Sequence, residues 1–155
     1  MTKQVPTLFE WIGGAPALES LTANFYAKVK ADPLIAPIFA NMDAKHPRYV
    51  AQFLGEVFGG PADYSRERGG HKHMLTQHFA RHLTEAQRRR WVNLLIDAAD
   101  EIGAPADPEF RSAFIAYIEW GTRIAIITSQ SDPHEVEQEP MPRWGWGEAK
   151  GPYTG

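Results

Sequence analysis

Six histidines, His46, His71, His73, His78, His82 and His134, hold most of the reactive chemistry of this chain. A neutral imidazole nitrogen is a common metal ligand, and the ring titrates close to neutral pH. Histidines four apart share a helix face, so His78 and His82 could hold one ion. His71-Lys72-His73 would then complete a zinc site. No carboxylate or cysteine stands at ligand spacing beside them, which weakens the zinc reading. A second reading makes one histidine the single axial ligand of a haem. A third leaves them solvated or at helix ends. Spacing alone keeps all three open.

The aromatic residues bear on that choice. Phe25, Tyr26, Phe39, Phe53, Phe58 and Trp91 fall on or beside predicted buried faces. They either build an aromatic core or wall a pocket for a large, flat, apolar cofactor. Tyr26 next to Phe25 carries a hydroxyl that needs a partner if it is buried. Other chemistries are absent from the sequence. There is no Gly-x-Ser-x-Gly elbow, P-loop or dinucleotide glycine pattern, and no cysteine for thiolate chemistry. Arg88-Arg89-Arg90 lies near Asp97, Asp100 and Glu101 and reads as a solvated helix face.

These residues must be positioned by a chain of 155 residues, enough for one domain. It is 43% hydrophobic and 23% charged, so it can bury a core. The formal net charge of −3 argues against nucleic acid as a partner. Residues 1–10 show no signal-peptide pattern, and the most apolar stretch, 113–128, is interrupted by Glu119 and Arg123. A cytoplasmic protein without membrane contact is expected.

The apolar periodicity is helical almost throughout, which makes the fold class all-α, with about five or six helices. Pro16 suits a first helical position, and Leu18, Leu21, Phe25 and Val29 then share a face until Asp32-Pro33. Leu34, Ile35, Ile38 and Phe39, limited by Pro37, make a single turn. His46-Pro47 opens a helix with Val50, Phe53, Leu54, Val57 and Phe58 inward, ended by Gly59-Gly60. Residues 60–70 read as a loop, and a short piece spans Met74 to Arg81. Thr84 with Gln87 is a capping box for a helix burying Trp91, Leu94, Leu95, Ala98 and Ile102. Asp107-Pro108 caps the last helix, which buries Phe110, Phe114, Ile118, Gly121 or Thr122, and Ala125.

The composition changes at Ser129. Residues 1–128 are expected to form the domain, and 129–155 a Pro-, Gly- and Trp-rich extension. The extension reads first as a loosely ordered tail. The alternative is an arm whose Trp144 and Trp146 pack on the domain or on a second subunit, or serve as an interaction module.

The ordered set of features resembles a truncated haemoglobin of the second group. It comprises Gly13-Gly14, Phe25-Tyr26, Phe39, Phe53-Leu54, Gly59-Gly60-Pro61, Tyr64-Ser65, Arg68-Gly69, and His78 followed thirteen residues later by Trp91. The resemblance covers about residues 7–127 and implies a two-on-two helical sandwich around one haem b. It makes His78 the proximal iron ligand, with its second ring nitrogen donating to a backbone carbonyl. A slip in register would pass that role to His82. Tyr26 and Trp91 would direct hydrogen bonds at the iron's gas ligand, with His46 at the distal gate and Val50 one turn on. Phe25, Phe39, Phe53, Leu54 and Leu75 would contact the haem. Tyr49, Tyr64, Arg68, His71, His73 and Arg81 would meet its propionates.

The function so implied is reversible binding of O2, NO and CO at an iron with an open sixth position. Two donors, at about 1–3 kcal/mol each, would slow oxygen loss. Tight retention suits ligand chemistry better than delivery. NO dioxygenase or peroxidase-like turnover is the alternative, and it would need a separate reductase as partner. The chain itself is expected to be a monomer or weak homodimer.

Overall fold

The computed structural model describes residues 4–153. Residues 1–3, part of the start read for a signal peptide, lie outside it with residues 154–155. The fold is all-helical, and no strand occurs among the described residues. Among the described residues there are seven α-helices: α1 (Leu8–Ile12), α2 (Gly14–Ala31), α3 (His46–Val57), α4 (Asp63–Arg68), α5 (His71–Thr76), α6 (Glu85–Glu101) and α7 (Pro108–Ser129). Short 3-10 turns cover Ala36–Phe39 and Gly147–Ala149. No described helix is long and apolar enough to cross a membrane.

The helices begin where local chemistry satisfies their first N–H groups. Thr84 accepts from the Gln87 N–H at 3.1 Å, while the Thr84 N–H donates to the Gln87 side chain at 2.9 Å. Asp107 accepts from the Phe110 N–H at 3.0 Å, and Pro108 fills the first position of α7. Pro16 lies two residues inside α2 rather than at its start, still in the first turn, where its missing N–H costs nothing.

Helix α2 packs on α3 and crosses to α6, which pairs with α7, giving two packed helix pairs. Leu18, Leu21, Phe25 and Val29 of α2 are buried together with Val57, Phe58, Leu95, Phe110, Phe114 and Ile118. Gly59-Gly60 ends α3 where the chain presses on α1. A Cβ at Gly59 would stand 2.8 Å from Thr7, and one at Gly60 would stand 2.7 Å from the Gly55 carbonyl. Only glycine fits that approach, which lets the Phe9 N–H donate to the Phe58 carbonyl at 2.8 Å.

Four sequence expectations are corrected. Helix α1 was not foreseen, although Thr7 and Glu10 form its capping box. The predicted 60–70 loop contains α4, pinned to α3 because buried Glu56 accepts from the Ser65 N–H at 2.8 Å and from its hydroxyl. The piece expected at 74–81 is helical over His71–Thr76 instead, so His78 and His82 share no helix face. Finally, the extension is not loose. The Trp144 N–H donates to the Val57 carbonyl at 2.9 Å, and the Trp146 indole donates to the Pro6 carbonyl at 2.8 Å.

Candidate functional site

Between the helix pairs lies a cavity of about 530 Å³, within the range of cofactor pockets. Its wall takes Tyr26 from α2, Phe39 from the 3-10 turn, and His46, Tyr49, Val50, Phe53 and Leu54 from α3. Tyr64 and Arg68 come from α4, His71, His73 and Leu75 from α5, then His78 and Arg81 from the turn beyond it, and Trp91 from α6. Every residue singled out for the site except Phe25 and the alternative ligand His82 therefore meets in one place. Phe25 is fully buried behind the wall and braces it edge-on, with ring centroids 4.8 Å from both Tyr26 and Trp91.

Two sets of polar groups stand out among those lining the cavity. In the first, the Tyr26 hydroxyl lies 2.9 Å from His46 Nε2, with Phe39 packed edge-on against both rings. Burial raises the Tyr26 pKa far above the ordinary phenol value. Burial also lowers that of His46, helped by the neighbouring Arg81, so both groups are neutral at pH 7. His78 is separate from this pair. Its Nδ1 lies 2.9 Å from the Met74 carbonyl, to which it donates, and burial lowers its pKa. A ring so held keeps Nε2 as a lone-pair donor.

The second set lies where α3, α4 and α5 converge. The Arg68 guanidinium lies over the Tyr49 ring, 3.9 Å from its centroid. Its Nη2 is 3.4 Å from His73 Nε2. Arg68 Nε and His71 Nδ1 are buried without a hydrogen-bond partner among the described residues. His71 Nδ1 approaches Glu139 only to 3.6 Å, too far for a hydrogen bond. Tyr64 packs edge-on against Phe53, and burial pushes its pKa up to about 12.

Helix α7 supplies a wall that sequence reasoning assigned to the core alone. Tyr117, Ile118, Gly121, Thr122 and Ala125 all line the cavity. The periodicity of Ile118, Gly121 or Thr122, and Ala125 marked a buried face, which looks the same whether it meets side chains or a pocket; Tyr117 was not singled out. Arg88 is also corrected. Rather than standing on a solvated face it is 7% exposed, bonded to Glu85 and Glu119, and lines the cavity. His82 lies outside the cavity in a left-handed backbone conformation, its N–H donating to the Ser129 carbonyl. Among the described residues no three His, Cys, Asp or Glu side chains cluster as a metal site, against the zinc alternative.

A helical sandwich with a histidine-bearing apolar cavity is the architecture of a globin. The family model of the bacterial-like globins matches residues 7–120, and the chain belongs to that family, whose members bind haem and oxygen. Within it the chain is a truncated haemoglobin of the second group. It is 28% identical over 119 residues to the group 2 truncated hemoglobin YjbI of Bacillus subtilis, covering 77% of this chain and 88% of that one. The crystal structure of the group II truncated hemoglobin from Bacillus anthracis superposes with a TM-score of 0.73 at 26% identity, covering 85% of this chain and 97% of that one. The truncated oxygen-avid haemoglobin from Bacillus subtilis gives a TM-score of 0.69 at 29% identity, with 78% and 99% covered.

Proposed function

We propose that the cavity holds one haem b, with His78 as the iron ligand, and retains oxygen tightly through Tyr26 and Trp91. The observation that carries this reading is the His78 imidazole, fixed through Nδ1 on the Met74 carbonyl in the wall of the 530 Å³ cavity. A bound haem supplies an iron that takes up diatomic gases.

The residues present fit such a group on independent grounds. Arg68 Nε and His71 Nδ1, buried without partners, are what a pair of carboxylates would satisfy. Tyr49, Tyr64, His73 and Arg81 stand on the same wall and would complete that cradle. Phe39, Val50, Phe53, Leu54 and Leu75 exclude water from the flat faces, with Phe25 bracing from behind. In a dry pocket, a donor aimed at developing negative charge contributes more than it would in water. In this reading Tyr26 and Trp91, both on the cavity wall, are the donors, and one structural relative is itself an oxygen-avid truncated haemoglobin. In this reading the expected domain, as described from residue 4 to 128, is the haem-holding unit, and 129–153 is an arm laid on it.

The test is the absorption spectrum of the purified protein with hemin, repeated on His78→Ala. A sharp Soret band that carbon monoxide shifts after reduction, and that the variant degrades, is the expected result. A band unchanged in His78→Ala would remove His78 as ligand, and no hemin uptake would overturn the reading.

A further inference from the structure

Tyr117, Trp120 and Trp144 form a closed aromatic triad. Their ring centroids lie 6.1 Å apart for Tyr117–Trp120, 5.5 Å for Tyr117–Trp144 and 5.8 Å for Trp120–Trp144. Tyr117 and Trp120 line the cavity, and Trp120 is also 39% exposed. The third member comes from the C-terminal arm, beyond the residues that match the globin family.

Phenol and indole are the side chains most readily oxidised by one electron, and these rings run in contact from cavity to solvent. They differ in what they do with a proton. Tyr117 is buried, and desolvation strongly disfavours its phenolate, so it does not hold a charge easily. An oxidised indole persists as a cation or loses its Nε1 proton to water, which reaches Trp120. Tyr26 and Tyr64, the other buried phenols on the cavity, are only 3% and 2% exposed, and they pack on Phe25, Phe39 and His46 and on Phe53 and His73, not on a tryptophan.

We propose that the Tyr117–Trp120–Trp144 triad is a one-electron relay, through which small phenols at the surface reduce hydrogen peroxide consumed in the cavity. The proposal rests on the haem reading above. One peroxide takes two electrons and two protons and leaves as two waters. Each electron passes through the triad and is replaced by one exterior phenol, which also gives up its proton and departs as a phenoxyl radical. The tryptophans are oxidised and restored in turn, and no other reductant is needed.

Hemin-loaded protein is treated with hydrogen peroxide, with and without a phenol, and oxygen adducts are located by peptide mass spectrometry. The variants are Trp144→Phe and the double variant Trp120→Phe with Trp144→Phe. Circular dichroism and hemin uptake of Trp144→Phe report on folding. Adducts concentrated on Trp120 and Trp144, suppressed by the phenol, are expected. In the double variant they move to Tyr26 and Trp91, Soret bleaching accelerates, and protection by the phenol is lost. Normal hemin uptake with adducts away from the triad, or bleaching unchanged in the double variant, overturns the relay alone. A chain that takes up no hemin overturns the haem reading and the relay together.

Discussion

The Tyr26 hydroxyl and His46 Nε2 stand 2.9 Å apart with their rings nearly perpendicular, at 89°. Both are neutral, so the tautomer of His46 decides who donates. If Nε2 carries the proton, it donates to the phenol oxygen and leaves the phenol proton free for a ligand in the cavity. If Nδ1 carries it, the phenol donates to His46 and is withdrawn from the ligand. Tyr26→Phe separates these cases. With the phenol proton free, oxygen dissociation in stopped flow accelerates by about fivefold to a hundredfold, the equivalent of about 1–3 kcal/mol. An unchanged rate would show the proton committed to His46.

The same histidine makes stability depend on pH. Burial lowers the pKa of His46, with Arg81, His78 and Arg68 acting in the same direction and Asp43 opposing; Tyr26 and Phe39 are its uncharged neighbours. The folded value therefore lies below the unfolded value of about 6.5. On acidification the unfolded chain takes the proton first. The stabilisation is complete above about pH 6.5 and is lost as pH falls through the folded value. Urea midpoints measured from neutral to about pH 5 should fall, and His46→Gln should flatten the fall. An equal fall in the variant would assign it to other groups, among them His73, whose pKa burial also lowers.

Arg88 links α6 to α7. Its Nη2 donates to Glu85 Oε1 at 2.6 Å and its Nη1 to Glu119 Oε2 at 2.9 Å, while the stem is covered. Hydrogen bonds from Arg88 and Arg89 hold the Glu85 carboxyl down at about 2. Both carboxylates face water, so removing the guanidinium strands no buried charge. Arg88→Ala should then cost about 1–2 kcal/mol, mostly lost stem packing, and not the 3–5 kcal/mol of a broken buried pair. Arg88→Met, which keeps the stem, should lie closer to wild type in thermal melts. Equal losses in the two variants would contradict this division.

Long helices with side-chain caps were legible in the sequence, because Thr84, Gln87 and Asp107 declare their role within four residues. The site residues were legible mainly through the family resemblance; of them Tyr26 and Trp91 also stood out as aromatic residues on or beside a predicted buried face, whereas spacing alone left the role of His46 and His78 open. Helices α1 and α4, of five and six residues, were not, since helices so short are held by tertiary contacts rather than by their own propensity. The burial of Arg88 depends on Glu119, thirty-one residues away, and docking of the arm depends on carbonyls of Val57 and Pro6. Nothing local to those segments announces either partner.

The beginning of the arm holds the segment that follows His78. The Ala80 N–H donates to the Ser131 carbonyl at 2.9 Å, and the Phe79 ring packs on His134 with centroids 4.6 Å apart. The Leu83 N–H donates to the Ser129 hydroxyl at 3.0 Å, a contact made before the arm leaves α7. Truncation after Gln130 keeps the Ser129 contact and removes the other two. Hydrogen exchange at Ala80 should rise while that at Leu83 stays slow. Hemin should also pass faster to a scavenging protein, because the turn bearing His78 has lost a tether. Trp144→Ala acts elsewhere, at Tyr117 and Trp120. It should cost about 2 kcal/mol for a half-buried indole and leave exchange at Ala80 protected. If the truncated chain exchanges Ala80 and loses hemin at the full-length rates, the arm's first residues do not restrain the turn that carries His78.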